Sequence, residues 1–118
     1  MRTSEAFCLG IIALSVIVSV LFYPQLPDRM ASHWNALGAV DGFMPKLVAL
    51  AIMPVISLFL FGLFLLIPKI DPLGKNIKKF RRHYDFLVVL VITFLAYINL
   101  LTLLWNLGWR FEMLQLLA

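Results

Sequence analysis

The chain has 118 residues, 63% of them apolar and only 14% charged, with a net charge of +4 and a mean hydropathy of +0.98. Soluble domains carry about 25% charged residues, so this composition excludes a water-soluble globule with a polar surface. The positive charge is gathered in one short segment instead of a groove-tracking patch, which excludes nucleic acid as the partner.

Three apolar runs, Ala6 to Tyr23, Leu47 to Ile67 and Phe86 to Trp105, contain no Asp, Glu, Lys, Arg or His. Each approaches or reaches the ~20 residues that cross a ~30 Å hydrocarbon core as a helix. Only helices and closed barrels satisfy their backbone in lipid, and the runs lack the strict alternation of barrel strands. The expected fold class is all-α integral membrane: three transmembrane helices with an ordered extracytoplasmic loop between helices 1 and 2. The whole chain, 1–118, reads as one membrane domain, with helices at about 6–23, 47–67 and 86–107, an outer loop at 24–46 and a basic cytoplasmic loop at 68–85.

The first run has an apolar core too long for a signal peptide and is followed by no small-residue cleavage site, so it is expected to be an uncleaved anchor. Cys8 is the sole cysteine and makes neither an intramolecular disulfide nor a cysteine-based metal site. The run ends at Tyr23-Pro24, an interfacial aromatic before a residue that cannot continue the ladder. Helix 2 is expected to open after Pro45, bend at Pro54 and close at Pro68.

Between Lys69 and Arg82 stand six basic residues against one acid, Asp71. The positive-inside bias puts this loop in the cytoplasm, with the N-terminus, and puts residues 24–46 and the C-terminus outside the cell membrane. The loop is read as a topology determinant touching anionic lipid, with a cytoplasmic regulator as a further possible partner. Tyr23, Tyr84, Trp105 and Trp109 fall at the helix ends, as an aromatic belt requires. In helix 3, Asn99, Thr102 and Asn106 recur at i, i+3 and i+7, one helical face. An unpaired amide in hydrocarbon is costly, so this face should meet protein. It serves either as helix-packing glue or as the wall of a solute path. Ser15 and Ser19 of helix 1 form a small-xxx-small pair. After Gly108-Trp109-Arg110, the segment from Phe111 to Ala118 is too short to span. It reads as a short interfacial helix, Arg110 and Glu112 wet, or as the first turns of a fourth helix.

The polar stretch LPDRMASHWNALGAVDGFMPK, Leu26 to Lys46, offers Asp28, His33 and Asp41, but their spacing matches no known ligand pattern and no metal or cofactor is expected. No motif positions a nucleophile beside His33, so an enzyme is not expected either. Asn35-x-x-Gly38 and Asp41-Gly42 are turn chemistry. Asp28 is expected to cap a short helix containing Met30 to Trp34, with Trp34 and Phe43 packing this cap onto the membrane face. Ordered polar loops on rigid scaffolds tend to carry function, which makes Asp28, His33, Trp34, Asn35 and Asp41 the candidate ligand-binding residues.

The stretch from Tyr23 to Lys46, YPQLPDRMASHWNALGAVDGFMPK, resembles the signature of a family of membrane domains of unknown function. The matching residues are Tyr23, Pro24, Leu26, Pro27, Asp28, His33, Trp34, Asn35, Gly38, Asp41, Gly42, Phe43 and Lys46. With its helix order, the chain is similar to the N-terminal half of the SdpI-type immunity proteins, which protect a cell from its own sporulation-delaying peptide toxin. The motif of their second half is not found in this chain. The resemblance implies a membrane immunity or signalling role, with a peptide toxin or envelope ligand at the outer loop and a regulator at the cytoplasmic face. A homo-oligomer is expected, because a second copy would satisfy the polar face of helix 3. The alternatives are a small-solute transporter component using Asn99, Thr102 and Asn106, and a metal-dependent membrane enzyme.

Overall fold

In the computed structural model, which describes residues 3–70, 79–109 and 112–117, helix α1 (Thr3–Phe22) ends in a 3-10 turn at Tyr23–Gln25. There follow strands β1 (Arg29–Trp34) and β2 (Val40–Pro45), then α2 (Lys46–Ile70), α3 (Arg81–Asn106) and the short α4 (Met113–Leu117). Among the described residues, three helical spans are long and apolar enough to cross a membrane: Thr3–Gln25, Lys46–Lys69 and Arg81–Asn106, of 23, 24 and 26 residues, with mean hydropathies of 2.5, 2.8 and 2.6 in their most apolar stretches. At 1.5 Å per residue each exceeds a ~30 Å hydrocarbon core. These are the marks of a multi-pass membrane protein.

The distribution of side chains agrees. Leu14, Val20, Phe59 and Phe86 point out of the bundle at 56%, 65%, 65% and 68% exposure, whereas Ser19, Ser57 and Asn99 are buried. Apolar residues outside and small or polar residues between helices is the pattern lipid selects. Two apolar clusters fill the interior. Cys8, Ile12, Phe61, Val88 and Ile92 pack at one end; Leu26, Met30, Ala49, Leu50 and Leu103 pack beneath the strands.

Two boundaries differ from expectation. Helix α2 runs through Pro68 to Ile70 instead of closing there. Pro68 has no N–H to give the Phe64 carbonyl four residues back, and the Tyr84 hydroxyl of α3 donates to that carbonyl at 2.5 Å. Helix α3 starts at Arg81, five residues before the apolar run. Its polar first turn is held by Arg81, which bonds Asp85 at i+4 (3.2 Å) and lies over the Tyr84 ring. Of the expected basic loop, Lys69, Arg81 and Arg82 thereby fall within helices, and Asp71, Lys75 and Lys78 lie outside the described residues.

The other end of α3 closes in a Schellman motif. Gly108 N–H bonds Trp105 O, Trp109 N–H bonds Leu104 O, and Gly108 takes φ +112°. The chain then turns back along α3. Met113 is buried, and the Tyr97 hydroxyl donates to the Leu116 carbonyl at 2.9 Å. Tyr97 lies nine residues before Asn106, so α4 reaches ~13 Å back along the bundle. Glu112 is exposed, as expected of a wet position, while Arg110 falls outside the described residues.

Candidate functional site

The stretch from Arg29 to Pro45 is an antiparallel β-hairpin, not the short capped helix the sequence suggested, so the fold is not all-α. The pairs are Arg29 with Pro45, Met30 with Met44, Ala31 with Phe43, His33 with Gly42 and Trp34 with Val40, the register shifting between Ala31 and Trp34. A five-residue helix would close barely one hydrogen bond against its nucleation cost. The hairpin instead pairs two six-residue strands and buries Met30 and Ala31 completely.

Asn35 builds the turn. Its N–H bonds Ala39 O, its carbonyl accepts from Gly38 N–H, and its side-chain oxygen accepts from Leu37 and Ala39 N–H at 2.9 and 3.1 Å. Gly38 closes the three-residue loop at φ +83°, the left-handed position that such hairpins need. Gly42 serves a different purpose: a Cβ there would meet His33 Cβ at 3.0 Å.

The hairpin base is tied to the helices by Lys46 and Asp28. Lys46 N–H bonds Asp28 O at 2.8 Å, and Lys46 Nζ donates to Tyr23 O (3.1 Å) while lying 4.2 Å above the Tyr23 ring. A cation on the last carbonyls of a helix is favourable. Asp28 therefore closes the base through its backbone and caps no helix.

Asn106 holds the strand edge. Its Oδ1 accepts from Ala31 N–H at 2.8 Å and its Nδ2 donates to Ala31 O at 2.9 Å, the two bonds a neighbouring strand would make. The second Nδ2 proton goes to Thr102 O at 2.8 Å. About two turns deeper, Asn99 Nδ2 donates to Ser15 Oγ and Ser19 Oγ of α1, at 2.8 and 3.2 Å. The polar face of α3 thus meets protein within one chain, and a second copy is not needed to satisfy these amides.

The five candidate ligand residues separate. His33 Nδ1 and Asp41 Oδ1 pair across the strands at 2.5 Å, with side chains 70% and 41% exposed. Asn35 is engaged in the turn and Asp28 is exposed at the base. Trp34 turns inward, edge-on to Trp105 with ring centroids 5.6 Å apart. Phe43 does not pack the hairpin down, since it is 54% exposed; Met30 and Met44 do that instead. At the loop tip Leu37 is 90% exposed, a position the sequence reading did not single out. Among the described residues, no three His, Cys, Asp or Glu side chains gather as metal ligands would.

Beneath β1 lies a chamber of about 240 Å³, bounded by Ser32 and Trp34 above, Met53 of α2, Ile98 and Thr102 of α3, and Met113 of α4. Trp34 Nε1 is buried and has no hydrogen-bond partner among the described residues.

Residues 10–58 match the family model of a domain of unknown function (DUF1648). The match runs from α1 through the hairpin to the middle of α2, leaving α3, with Asn99 and Asn106, outside it. No curated protein and no solved structure matches the chain.

Proposed function

We propose that this protein is a membrane immunity or signalling module akin to the SdpI-type proteins, whose hairpin recognises a peptide toxin or another envelope ligand. The observation that supports this reading is the hairpin itself. The polar signature residues are spent on a rigid, bundle-anchored scaffold that leaves His33, Asp41, Leu37 and Phe43 exposed. A paired imidazole and carboxylate beside apolar side chains suits a peptide, offering directional hydrogen bonds and contact area together.

In this reading the hairpin faces outward from the cell membrane, because the basic segment at the opposite end favours the cytoplasm. Lys79 and Arg82 are exposed there and are available to anionic lipid or an acidic regulator. Asn35 and Asp28 act by shaping the hairpin. The solute-path alternative has less support, since the Asn99 and Asn106 amides are committed to α1 and β1.

The test is a challenge assay. Sensitive bacterial cells express the protein, its His33→Ala variant or an empty vector at matched membrane levels, and growth is followed with added sporulation-delaying-type toxin. Protection by the wild type that is lost in His33→Ala is expected. Absence of protection by the wild type overturns the immunity reading.

A further inference from the structure

Lys69, Lys79 and Arg82 gather at one end of the bundle. The Tyr84 hydroxyl on the Phe64 carbonyl sets the level of α2 against α3. Lys69 stands five residues beyond Phe64 and Arg82 two residues before Tyr84, so both lie ~3–8 Å outside that contact. Lys69, Lys79 and Arg82 are exposed, and among the described residues none of them pairs with a carboxylate. Arg81 differs, being partly buried and bonded to Asp85 at 3.2 Å. Between Lys69 and Arg82 the sequence holds six bases and one acid, so this end is strongly cationic. The start of α3 adds to it: Phe80 supplies no side-chain cap, and the first N–H groups carry the positive end of the helix dipole.

The neighbours of these bases decide between an acidic protein and an acidic lipid. Phe86 opens the charge-free run of α3 and is 68% exposed. It lies four residues from Arg82, one turn away on the same face, and the exposed Leu90 continues that face by another turn. Arg82 therefore stands ~6 Å beyond the start of the membrane-spanning run, within the headgroup layer. Phe80 is exposed beside Lys79. A soluble acidic protein would answer the bases and leave the apolar face below them unmatched. A phospholipid answers both, with its phosphate against the bases and a chain along the apolar face. Guanidinium holds phosphate through two parallel N–H···O bonds. A zwitterionic headgroup carries its own ammonium, which repels the bases; an anionic headgroup carries none.

We propose that the first turn of α3 is a binding site for an anionic phospholipid, its phosphate held by Arg82 and Lys79 and one acyl chain laid along Phe86 and Leu90. The site rests on the reading above that these bases are available to anionic lipid. It depends neither on toxin recognition by the hairpin nor on the side of the membrane that the bases occupy.

The test uses phosphatidylglycerol and phosphatidylcholine with identical acyl chains. The purified protein in neutral detergent is titrated with each, and native mass spectrometry counts the lipids retained. The wild type is expected to hold one phosphatidylglycerol about 25-fold more tightly than phosphatidylcholine, from about fivefold for each of two bases. Arg82→Gln and Lys79→Gln, both exposed changes, are each expected to lower that preference about fivefold, and the double variant to hold the two lipids equally. Glycerophosphoglycerol, the same headgroup without chains, is expected to leave the lipid in place at equal concentration. Equal retention of the two lipids by the wild type overturns the proposal, as does a preference that the double variant keeps. Displacement by the chain-free headgroup overturns it too, because a free phosphate ester would then suffice. Equal retention accompanied by saturable binding of polyglutamate, lost in the double variant, assigns the bases to an acidic protein instead. The toxin challenge reads the hairpin separately, so either proposal can fail alone.

Discussion

The Tyr84 hydroxyl donates at 2.5 Å to the Phe64 carbonyl, the one whose helical donor Pro68 cannot supply. A residue of α3 thereby repairs a defect in α2, and α2 continues two residues beyond the proline. The ring also lies edge-on to Phe64, with centroids 6.1 Å apart, so the contact is both polar and apolar.

Removing the hydroxyl should cost what an unmet carbonyl costs. Tyr84→Phe is expected to destabilise the protein by about 1–2 kcal/mol. In a Pro68→Ala background, where residue 68 has its own N–H, the same change should cost a few tenths of a kcal/mol. Thermal unfolding in detergent of the four proteins in this double-mutant cycle measures the difference. Equal costs in both backgrounds would show that Tyr84 acts through its ring alone.

The contact between α1 and α3 rests on Asn99 with Ser15 and Ser19, one half-buried and one buried hydrogen bond among apolar neighbours. Interhelical bonds of this kind average ~0.6 kcal/mol and reach ~1.7. Asn99→Leu is expected to lose about 1–2 kcal/mol, and Ser15→Ala combined with it should add little, since the partner is already gone. Equilibrium unfolding in mixed micelles reads both. Additive losses would mean that the serines serve close packing and not the amide.

The exposed loop tip gives a direct test of the proposed orientation. Leu37 is 90% exposed and the native Cys8 is buried at 0% exposure, so a Leu37→Cys variant carries one accessible thiol. A membrane-impermeant maleimide added to intact cells should label it, whereas Lys79→Cys should react only after the cells are opened. The reverse pattern would invert the topology.

The helices were legible because charge-free runs of membrane length have few other structural solutions. Their ends were less so, since Pro68 and Arg81 are rescued by residues on a neighbouring helix that local pattern does not reveal. The hairpin shows the same limit. Asn35, Gly38 and Gly42 read as turn residues, but Arg29 to Trp34 lacks clean alternation because the register shifts between Ala31 and Trp34. Without that period, the segment reads more simply as a capped turn of helix. The Asn99 and Asn106 face signalled that polar partners existed. It did not say which, because Ala31 is 75 residues from Asn106 and Ser15 is 84 from Asn99. The pairing of His33 with Asp41 is legible as chemistry but not as geometry, for only strand pairing brings them together.

The hairpin is a fixed structure hung from α3 by the two bonds of Asn106 to Ala31. Hydrogen exchange of the wild type and Asn106→Ala in nanodiscs tests this most directly. In the wild type, the hydrogen-bonded amides within Arg29–Trp34 and residues 40–44 should be protected as a group. In Asn106→Ala the buried Ala31 peptide loses both partners, and protection across the hairpin should fall tenfold or more, as the loss of about 1.4 kcal/mol or more implies. The amides of α2 should exchange as before. A wild-type hairpin that exchanges like free loop, or a variant as protected as the wild type, would contradict the account.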